Sequence, residues 1–198
     1  YGVGNIFAFQ NVYKRLDIPT KIAKTHDDLA DAQKLILPGV GSFDYAMGQL
    51  NDSGMREKLD ELVLKKKVPV IGICVGMQMM GNRSDEGKLE GLKWIDSEIL
   101  KFDENLIQQR TKLPHMGWNS IQPLIDHALF KGVDEDLGFY FVHSYYCNIK
   151  DSSTVSGITE YGISFHSSLE KDNIFGCQFH PEKSQKSGLN IFKNFNHI

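Results

Sequence analysis

The sequence predicts an α/β protein in which a central, mostly parallel β-sheet carries helices on both faces. Two short apolar runs rich in β-branched residues, at 34–37 and 70–73, have the character of buried strands. They alternate with segments that have the period of amphipathic helices, at 5–17 and 53–66. Such alternation is typical of a parallel sheet covered on both faces. Because 198 residues is the length of one domain, we expect a single domain over 1–198.

Capping residues and apolar faces place the elements of the first half. Asn5 is a good N-cap residue, and Ile18-Pro19 ends the first helix because a residue before proline disfavours the helical conformation. The apolar face of this helix consists of Ile6, Phe9, Val12, Tyr13 and Leu16. Ser53 is the predicted cap of the next helix, whose inward residues are Met55, Leu59, Leu62 and Val63. The opening Tyr1-Gly2-Val3-Gly4-Asn5 is typical of a turn from strand to helix, so we expect a first strand before residue 1.

The second half of the chain contains several strands in succession without predicted helices between them, so we expect part of the sheet to be antiparallel. The predicted strands span 98–102, 107–112, 139–146, 155–158, 163–169 and 174–179. The first two have the alternation of a β-hairpin, and the fourth and fifth form an antiparallel pair. The third is densely aromatic, and its His143-Ser144 would reach a cleft. Ser187 is the predicted cap of a last amphipathic helix.

Composition excludes several classes of function. The net charge of −3 gives no electrostatic basis for binding nucleic acid. The three cysteines have irregular spacing, which argues against a disulfide framework and for a reducing compartment. We find no transmembrane run and no signal peptide, so we expect a cytoplasmic protein that does not bind a membrane.

The strongest local signal lies in 68–80, VPVIGICVGMQMM. Within it, Gly72-Ile73-Cys74-Val75-Gly76 has the layout of a nucleophile elbow, where small residues flank a reactive side chain on a sharp strand-to-helix turn. The N-terminus of the following helix favours a thiolate over a thiol. We therefore interpret Cys74 as a nucleophile. Taken from this segment alone, a buried structural cysteine is an equal alternative.

A second signal, His180-Pro181-Glu182, ends the last predicted strand. A nucleophilic cysteine requires a base and a group that orients the base. In an extended stretch, residues two apart point the same way. Glu182 can thus hold one nitrogen of His180 while the other nitrogen faces Cys74. The joint occurrence of these residues at strand ends favours a Cys-His-Glu catalytic site over a surface histidine and a core cysteine.

Attack of a thiolate on a carbonyl creates an oxyanion, which N–H donors must stabilise. The N–H of Val75, directly after the nucleophile, is one candidate donor. The second source is Gly39-Val40-Gly41, at the end of the neighbouring strand, because glycines let the backbone approach closely. Carboxyl ends of parallel strands lie at one sheet edge, where such folds bind ligands.

Other interpretations of the polar residues are weaker. His180 and Glu182 could be metal ligands, but no other His or Cys lies at a zinc-like spacing, so we expect no metal. We expect Cys147 and Cys177 to be buried in the aromatic strands. For His115 we prefer a loop histidine bonded to the backbone over a catalytic role.

The motifs resemble those of the class I (triad) glutamine amidotransferases. The resemblance rests on G-x-C-x-G-x-Q at 72–78, the PGVG loop at 38–41 and the HPE pair at 180–182. Three further stretches, YGVGN at 1–5, LPHMGWN at 113–119 and VHSYY at 142–146, resemble the glutaminase subunits of imidazole glycerol phosphate synthases. The resemblance implies a flavodoxin-like or Rossmann-like three-layer fold with a mostly parallel central sheet and an added antiparallel part.

The resemblance also implies a reaction and a set of roles. Cys74 would attack the side-chain amide of L-glutamine, His180 would transfer protons, and Glu182 would orient His180. Matching positions imply substrate contacts at Gln78, Ser144 and Tyr145 and a partner interface at Asn5, Tyr140 and Lys183. Gly39, Val40 and Gly41 match a loop that presents its N–H groups only after rearrangement.

No cofactor is implied. The partner would be a barrel-fold synthase that uses the released ammonia to make imidazole glycerol phosphate and an aminoimidazole ribotide in histidine biosynthesis. The segment 83–102 departs from the form expected of such a glutaminase, with Asp96-Ser97 where a Pro-Gly is favoured. This departure leaves open a paralogous glutaminase that supplies ammonia for surface-polysaccharide sugar amidation. Two further alternatives are a non-catalytic regulatory module of the same fold, against which the intact Cys74, His180 and Glu182 argue, and a cysteine hydrolase of a related α/β family.

Overall fold

The computed structural model of the protein describes residues 1–124, 127–134 and 137–198. Within these ranges the α-helices are α1 (Ile6–Arg15), α2 (Phe43–Asp52), α3 (Arg56–Asp60, continued by a π-helical turn over Glu61–Lys65), α4 (Val75–Met79) and α5 (Gln185–His197). The strands are β1 (Leu35–Gly39), β2 (Val70–Cys74), β3 (Arg83–Ser84), β4 (Ser97–Lys101), β5 (His115–Asn119), β6 (Gln122–Pro123), β7 (Phe139–His143), β8 (Tyr145–Ile149), β9 (Val155–Tyr161), β10 (Ile163–Lys171) and β11 (Ile174–Cys177). None of the helices described is long and apolar enough to cross a membrane.

The main sheet is mixed, in the order β1-β2-β11-β10-β8-β4-β3, with β9 and β6 attached beside β10. Strands β1, β2 and β11 run parallel, whereas β10 pairs antiparallel with β11, β8 and β9. The predicted α/β class and the added antiparallel part are confirmed. The antiparallel part makes up a larger share of the sheet than the sequence indicates.

Helices cover both faces of the parallel strands. Phe175 of β11 packs edge-on against Phe195 of α5, with ring centroids 5.8 Å apart. The next residue, Gly176, lies directly under Met77 of α4, where an added Cβ would come within 2.7 Å of the Met77 side chain. Because neighbouring strand residues point to opposite faces, α4 and α5 lie on opposite sides of the sheet. This is the predicted three-layer arrangement.

The register of the parallel strands places the predicted site at one edge. Gly39 is the Cα partner of Cys74, and Cys177 is the partner of Ile73. The chain segments that follow all three strands therefore emerge side by side. One of these segments leads to His180, so the sheet brings together motifs that are more than a hundred residues apart in the sequence.

The aromatic run predicted as one strand over 139–146 is two strands in two sheets. β7 pairs with β5 in a separate two-stranded antiparallel sheet, whereas β8 pairs with β4 and β10 in the main sheet. Ser144 lies at the break. Because the chain changes sheets here, the backbone around Ser144 opens toward the predicted site instead of continuing a ladder.

The predicted hairpin of 98–102 with 107–112 is wrong. β4 pairs with β8 instead, with Ile99 opposite Cys147, and residues 107–112 form no strand. Only Ile107 of that second run is buried, and 108–111 are exposed. Local alternation over so few residues does not fix a partner, because β8 offers β4 a buried face and the 107–112 run does not.

Two predicted helix starts are also wrong. Ser42, and not Ser53, caps a helix: its hydroxyl accepts from the Tyr45 N–H at 3.4 Å at the start of α2, a helix that the sequence pattern did not predict. The next helix begins at Arg56, yet its four predicted inward residues are all buried. The last helix begins at Gln185, so Ser187 lies inside α5. The sequence has several serines near possible helix starts, so capping propensity alone does not show which of them is the N-cap residue.

Candidate active site

Cys74 sits on a strained turn between β2 and α4. Its backbone dihedrals, φ 55° and ψ −114°, lie in a region that residues with side chains rarely occupy. The flanking glycines make the turn possible: a Cβ on Gly72 would lie 2.7 Å from the Met77 nitrogen, and one on Gly76 would overlap the Leu37 carbonyl oxygen. The side chain is only 4% exposed. The turn therefore aims the thiol into an enclosed space and not at open solvent.

His180 and Glu182 form a buried ion-pair-like contact. His180 Nδ1 and Glu182 Oε1 are 2.7 Å apart, and each side chain is 4% exposed. Burial acts to lower the pKa of His180, but Cys74 and Glu182 outweigh it and raise that pKa to about 9. The other nitrogen, Nε2, is buried and has no hydrogen-bond partner among the residues described. The predicted contact of His180 with Glu182 is present, and Nε2 remains available for a hydrogen bond to another group.

The turn that carries these residues is fastened to β7. His180 N–H donates to the Tyr140 carbonyl at 2.8 Å. The Ser184 hydroxyl donates to the His180 carbonyl at 2.7 Å and accepts from the Tyr140 N–H at 2.9 Å. Ser184 is completely buried. A single buried hydroxyl thus ties the histidine backbone to the neighbouring sheet, a role that the sequence motifs did not indicate.

A cavity of about 360 Å³ lies in front of the thiol. Of the residues predicted for the site, those that line it are Val40, Gly41, Cys74, Val75, Gln78, Ser144, Tyr145, His180 and Lys183. Gly39, Glu182, Asn5 and Tyr140 do not line it. A larger cavity of about 720 Å³, between α1 and β1, includes none of the Cys-His-Glu residues. The predicted chemistry is therefore concentrated in the smaller cavity.

Gly39 lies behind the cavity. A Cβ at this position would overlap the Gly76 backbone nitrogen, so glycine here lets β1 approach the elbow closely. The Tyr1 hydroxyl donates to the carbonyl of the adjacent Pro38. The residues predicted for the oxyanion hole are thus divided: Val40, Gly41 and Val75 face the cavity, and Gly39 supports them.

Two buried glutamines lie beside Cys74. Gln78 Nε2 donates to the Tyr145 carbonyl at 3.1 Å and to Gln178 Oε1 at 3.0 Å. Gln178 Nε2 in turn lies 3.7 Å from Cys74 Sγ, close enough to donate to the sulfur. Gln78 was predicted as a substrate contact, whereas Gln178 was missed. The two-residue spacing that pairs His180 with Glu182 also separates Gln178 from His180, and that spacing is the signal that could have found it.

Glu86 is a second residue that the sequence motifs did not single out. It lies at the mouth of the cavity, and its Oε2 accepts from the Phe43 N–H at the start of α2 at 2.8 Å. The neighbouring Asp44 accepts from the N–H groups of Lys88 and Leu89. The loop 83–90 is therefore held against α2. The acidic S-x-E-G stretch in that loop is the sequence feature that points to this position.

The residues predicted for a partner interface are only partly grouped. Lys183 Nζ lies 5.6 Å from the centre of the Tyr140 ring, a cation–π distance. Tyr140 packs edge-on against Trp118, which is 49% exposed and was not predicted. Asn5 is exposed at the start of α1 and makes no side-chain cap there. Tyr140, Lys183 and Trp118 together form an exposed aromatic and cationic cluster next to the cavity.

The prediction for His115 is wrong, and that for the other two cysteines agrees with their placement. His115 lies on β5, is 3% exposed and contacts the side chains of His143 and Asn119 instead of the backbone. Cys147 and Cys177 are completely buried, and burial raises the pKa of both thiols, that of Cys147 to about 12. Among the three cysteines, Cys74 alone faces the cavity described above.

Taken together, the fold and site are those of an α/β protein with a cysteine, a histidine and a carboxylate at the carboxyl edge of its parallel strands. The chain belongs to the class I glutamine amidotransferase family, whose model, Glutamine amidotransferase class-I, matches residues 8–198. This confirms the family that the motifs resemble. Within the described residues, no group of three or more His, Cys, Asp and Glu side chains is arranged to hold a metal ion.

Curated relatives cover almost the whole chain. The imidazole glycerol phosphate synthase subunit HisH of Bdellovibrio bacteriovorus is 51% identical over 200 residues, which cover 100% of this chain and 97% of the relative. Subunit HisH 2 of Pseudomonas aeruginosa is 46% identical, with 98% and 95% covered. The HisH subunit of Leptospira interrogans is 43% identical, with 98% and 96% covered. This agrees with the resemblance found in the motifs at 1–5, 113–119 and 142–146.

Solved structures agree on the fold. A crystal structure of a glutamine amidotransferase aligns with a TM-score of 0.72 at 14% identity and covers 98% of this chain and 94% of that one. The structure of PurLQS from Thermotoga maritima also aligns with a TM-score of 0.72, at 13% identity, covering 99% and 93%. At such low identity these likenesses establish the architecture alone.

Proposed function

We propose that this chain is a glutaminase subunit that hydrolyses L-glutamine to glutamate and ammonia. The observation that carries the proposal is the strained Cys74 turn facing a cavity into which the Glu182-bound imidazole of His180 also opens. A thiol, a base and an orienting carboxylate in this order are the parts that nucleophilic attack on an amide requires.

The reaction follows from the position of each group. The Cys74 thiol gives its proton to Nε2 of His180, and the sulfur attacks the side-chain carbonyl carbon of glutamine. The oxyanion is met by the Val75 N–H and by an N–H of the loop formed by Gly39, Val40 and Gly41. His180 then gives its proton to the amide nitrogen, ammonia leaves, and a γ-glutamyl thioester remains on Cys74. His180 next takes a proton from water, whose oxygen attacks the thioester carbonyl carbon. The carbon–sulfur bond breaks, the Cys74 sulfur regains the proton from His180, and glutamate is released.

The cavity also fits an amino-acid substrate. Both amide protons of Gln78 are already donated, so its contact with substrate falls to the carbonyl oxygen. Ser144 and Tyr145 also line the cavity, at the break between β7 and β8. The Glu86 carboxylate at the mouth provides a negative charge for the α-ammonium group of glutamine. These contacts hold glutamine with its side chain directed at the sulfur.

The ammonia would pass to a barrel-fold synthase, in a cytoplasmic heterodimer that makes imidazole glycerol phosphate and aminoimidazole carboxamide ribotide. Support comes from relatives that are named imidazole glycerol phosphate synthase subunits and match the chain end to end. The cluster of Tyr140, Lys183 and Trp118, with Asn5, is the proposed docking surface. It borders the cavity where ammonia is released, so a partner seated there would receive the product directly.

The chemistry is tested by Cys74→Ala, with Cys147→Ala as the matched control. Both variants remove one thiol, but Cys147 is buried between strands, outside the cavity. We expect Cys74→Ala to abolish glutamate release, measured in the presence of the synthase partner, and Cys147→Ala to retain it. Undiminished release by Cys74→Ala would refute the nucleophile and with it the proposed function.

The pathway is tested by expressing the chain in a histidine auxotroph that lacks its own glutaminase subunit. Growth without histidine supports the synthase partner. The pathway assignment fails if the purified chain releases glutamate but does not restore growth, even when a barrel protein encoded next to its gene is co-expressed. Supply of ammonia for sugar amidation would then be the remaining role.

A further inference from the structure

A chain of side-chain hydrogen bonds runs from β5 into the cavity. Asn119 Nδ2 lies 3.2 Å from His115 Nε2, and His115 Nδ1 lies 3.0 Å from His143 Nε2. His143 Nδ1 lies 2.8 Å from the Tyr145 carbonyl oxygen. His115 and His143 are 3% and 6% exposed. Neither histidine has a role in the chemistry described above.

Only one placement of protons satisfies this chain. A carbonyl can only accept, so His143 must donate from Nδ1, and its Nε2 is then an acceptor when the ring is neutral. His115 must therefore donate from Nδ1, which leaves its Nε2 to accept from the Asn119 amide. Exchanging the oxygen and nitrogen positions of the Asn119 amide would break two further hydrogen bonds, because Nδ2 also donates to the Glu160 carbonyl and Oδ1 accepts from the Ser120 N–H.

Burial keeps both rings neutral. It lowers the pKa of His115 to about 4 and that of His143 to about 3, and repulsion from the neighbouring His115 adds to the effect on His143. The two histidines at neutral pH are thus donors with a fixed direction, not bases.

The same carbonyl links the histidines to the nucleophile. The Tyr145 oxygen accepts from His143 and also from Gln78, which in turn donates to Gln178. Gln178 lies against Cys74 Sγ at 3.7 Å. A displaced Tyr145 carbonyl would therefore move both glutamines, and with them the donor that faces the sulfur.

We propose that His115 and His143 are positioning residues for the glutaminase reaction, holding the Ser144–Tyr145 backbone and, through Gln78 and Gln178, the Cys74 sulfur in the reacting arrangement. The proposal rests on the proposed glutaminase function. It adds two residues on the β5-β7 sheet that touch neither the sulfur nor the base.

His115 has a second, separable set of contacts. Its ring stacks on Tyr161, with centroids 4.0 Å apart and planes 22° apart, and on Phe141 at 4.7 Å and 23°. A purely structural histidine would act through this stacking, whereas a positioning histidine acts through Nδ1. Two substitutions separate the possibilities. His115→Phe keeps an aromatic ring and removes the donor, and His115→Asn removes the ring and keeps an N–H close to the position of Nδ1.

The experiment measures kcat and KM for glutamine of both variants in complex with the synthase partner, together with their urea unfolding. Both variants should lose stability. His115→Phe leaves His143 Nε2 without a donor, and His115→Asn loses the stacking on Tyr161 and Phe141. Activity should separate them. We expect kcat/KM of His115→Phe to fall by about tenfold or more, through a raised KM and a lowered kcat, and His115→Asn to stay within about threefold of the parent.

A third variant keeps the test decisive if His115→Phe does not fold. Gln178→Met has a similar length but no N–H to offer the sulfur, and it should slow alkylation of Cys74 by iodoacetamide in the free chain several-fold. Equal kcat/KM for His115→Phe and His115→Asn, or activity that simply follows stability, would overturn the proposal. So would an unchanged alkylation rate in Gln178→Met.

If glutaminase activity is absent from the parent protein as well, the proposed function has failed, and not this inference. The alkylation rate tells the two apart, because it reports on the sulfur without requiring turnover.

Discussion

Two buried pairs of side chains that contain histidine lie within the same site, and the pKa values of their histidines shift in opposite directions. His180 contacts Glu182 and its pKa is raised to about 9, whereas His115 contacts His143 and the pKa values of that pair fall to about 4 and 3. All three histidines are almost fully buried. Burial alone lowers the pKa of a histidine, so the direction of the shift depends on the groups around the ring, which for His180 are Cys74 and Glu182.

The comparison separates two tasks that one residue type performs. A histidine with a carboxylate can hold a proton near neutral pH and pass it on, which suits a base. A histidine between neutral partners keeps one tautomer and donates in one direction, which suits the positioning of a backbone carbonyl. The two pairs are joined by geometry: His143 lines the cavity with His180, and β7 carries both His143 and the Tyr140 backbone that fastens the His180 turn.

The largest expected effect comes from making the first pair resemble the second. Glu182→Gln keeps an acceptor for Nδ1 but removes the negative charge, so the pKa of His180 should fall below 9, although Cys74 still raises it. We expect kcat for glutamate release to drop by about 100-fold or more. The measurement is steady-state kinetics together with NMR titration of the His180 ring.

Glu57→Gln is the matched control, because Glu57 is exposed on α3 and does not line the cavity. It should leave both kcat and the titration of His180 unchanged. A Glu182→Gln protein in which His180 still titrates near 9 would show that the carboxylate does not set its charge.

The pH dependence of stability should show both pairs, with opposite signs. The folded pKa of His115 and His143 lies below the ordinary 6.5, so their contribution is complete above pH 6.5 and is lost as the pH falls toward 4. The folded pKa of His180 lies above 6.5, so its contribution is complete below pH 6.5 and is lost as the pH rises toward 9. Each proton contributes a slope of at most about 1.4 kcal/mol per pH unit.

Urea unfolding of the parent, His115→Asn and Glu182→Gln across this pH range shows which pair causes each loss of stability. His115→Asn should reduce the fall in the free energy of unfolding at acid pH, and Glu182→Gln should reduce the fall at alkaline pH. The comparison of the pairs breaks down if each substitution alters both losses of stability equally.

The smallest effect is expected at a histidine–carboxylate contact outside the cavity. His127 Nδ1 lies 3.4 Å from Glu170 Oε2, which also accepts from the Ala128 N–H, and both side chains are about one-fifth exposed. Glu170→Gln retains an acceptor for that N–H. It should change the free energy of unfolding by less than about 1 kcal/mol and leave glutaminase activity unchanged. A large loss of activity in Glu170→Gln would show that a histidine–carboxylate contact outside the cavity also affects the reaction, which would contradict this prediction.

Several features were predictable from short segments because their cause is local. The elbow at Cys74 needs small neighbours, and Gly72 and Gly76 indicate it. The pairing of His180 with Glu182 follows from a two-residue spacing, and the inner face of α3 follows from helical periodicity. The motif at 38–41 was placed correctly beside the elbow, since parallel strands end at one edge of a sheet.

Other features were not predictable because their cause is a distant partner. The alternation at 98–102 is real, but its partner is β8 and not the next run along the chain. The aromatic run at 139–146 carries no sign that it divides between two sheets. His115 looks like a loop residue until β7 supplies His143 opposite it. Gln178 and Glu86 gain their roles only when the fold brings Gln178 against the Cys74 sulfur and Glu86 to the cavity.

The amino-acid sequence by itself determined the α/β class through alternating strand and helix patterns, and the elbow at Cys74 and the His180–Glu182 pair through short spacings. The family followed from the resemblance of these motifs to those of known proteins. The tertiary structure decided the rest: which glycines face the cavity, which glutamine lies against the sulfur, and which histidines are charged. The physical reason is that a pKa, a hydrogen-bond direction and a cavity wall depend on groups that meet across strands. The spacing of Gln178 and His180 shows that they point the same way, but no local pattern shows that Gln178 meets Cys74, which is more than a hundred residues away in the sequence.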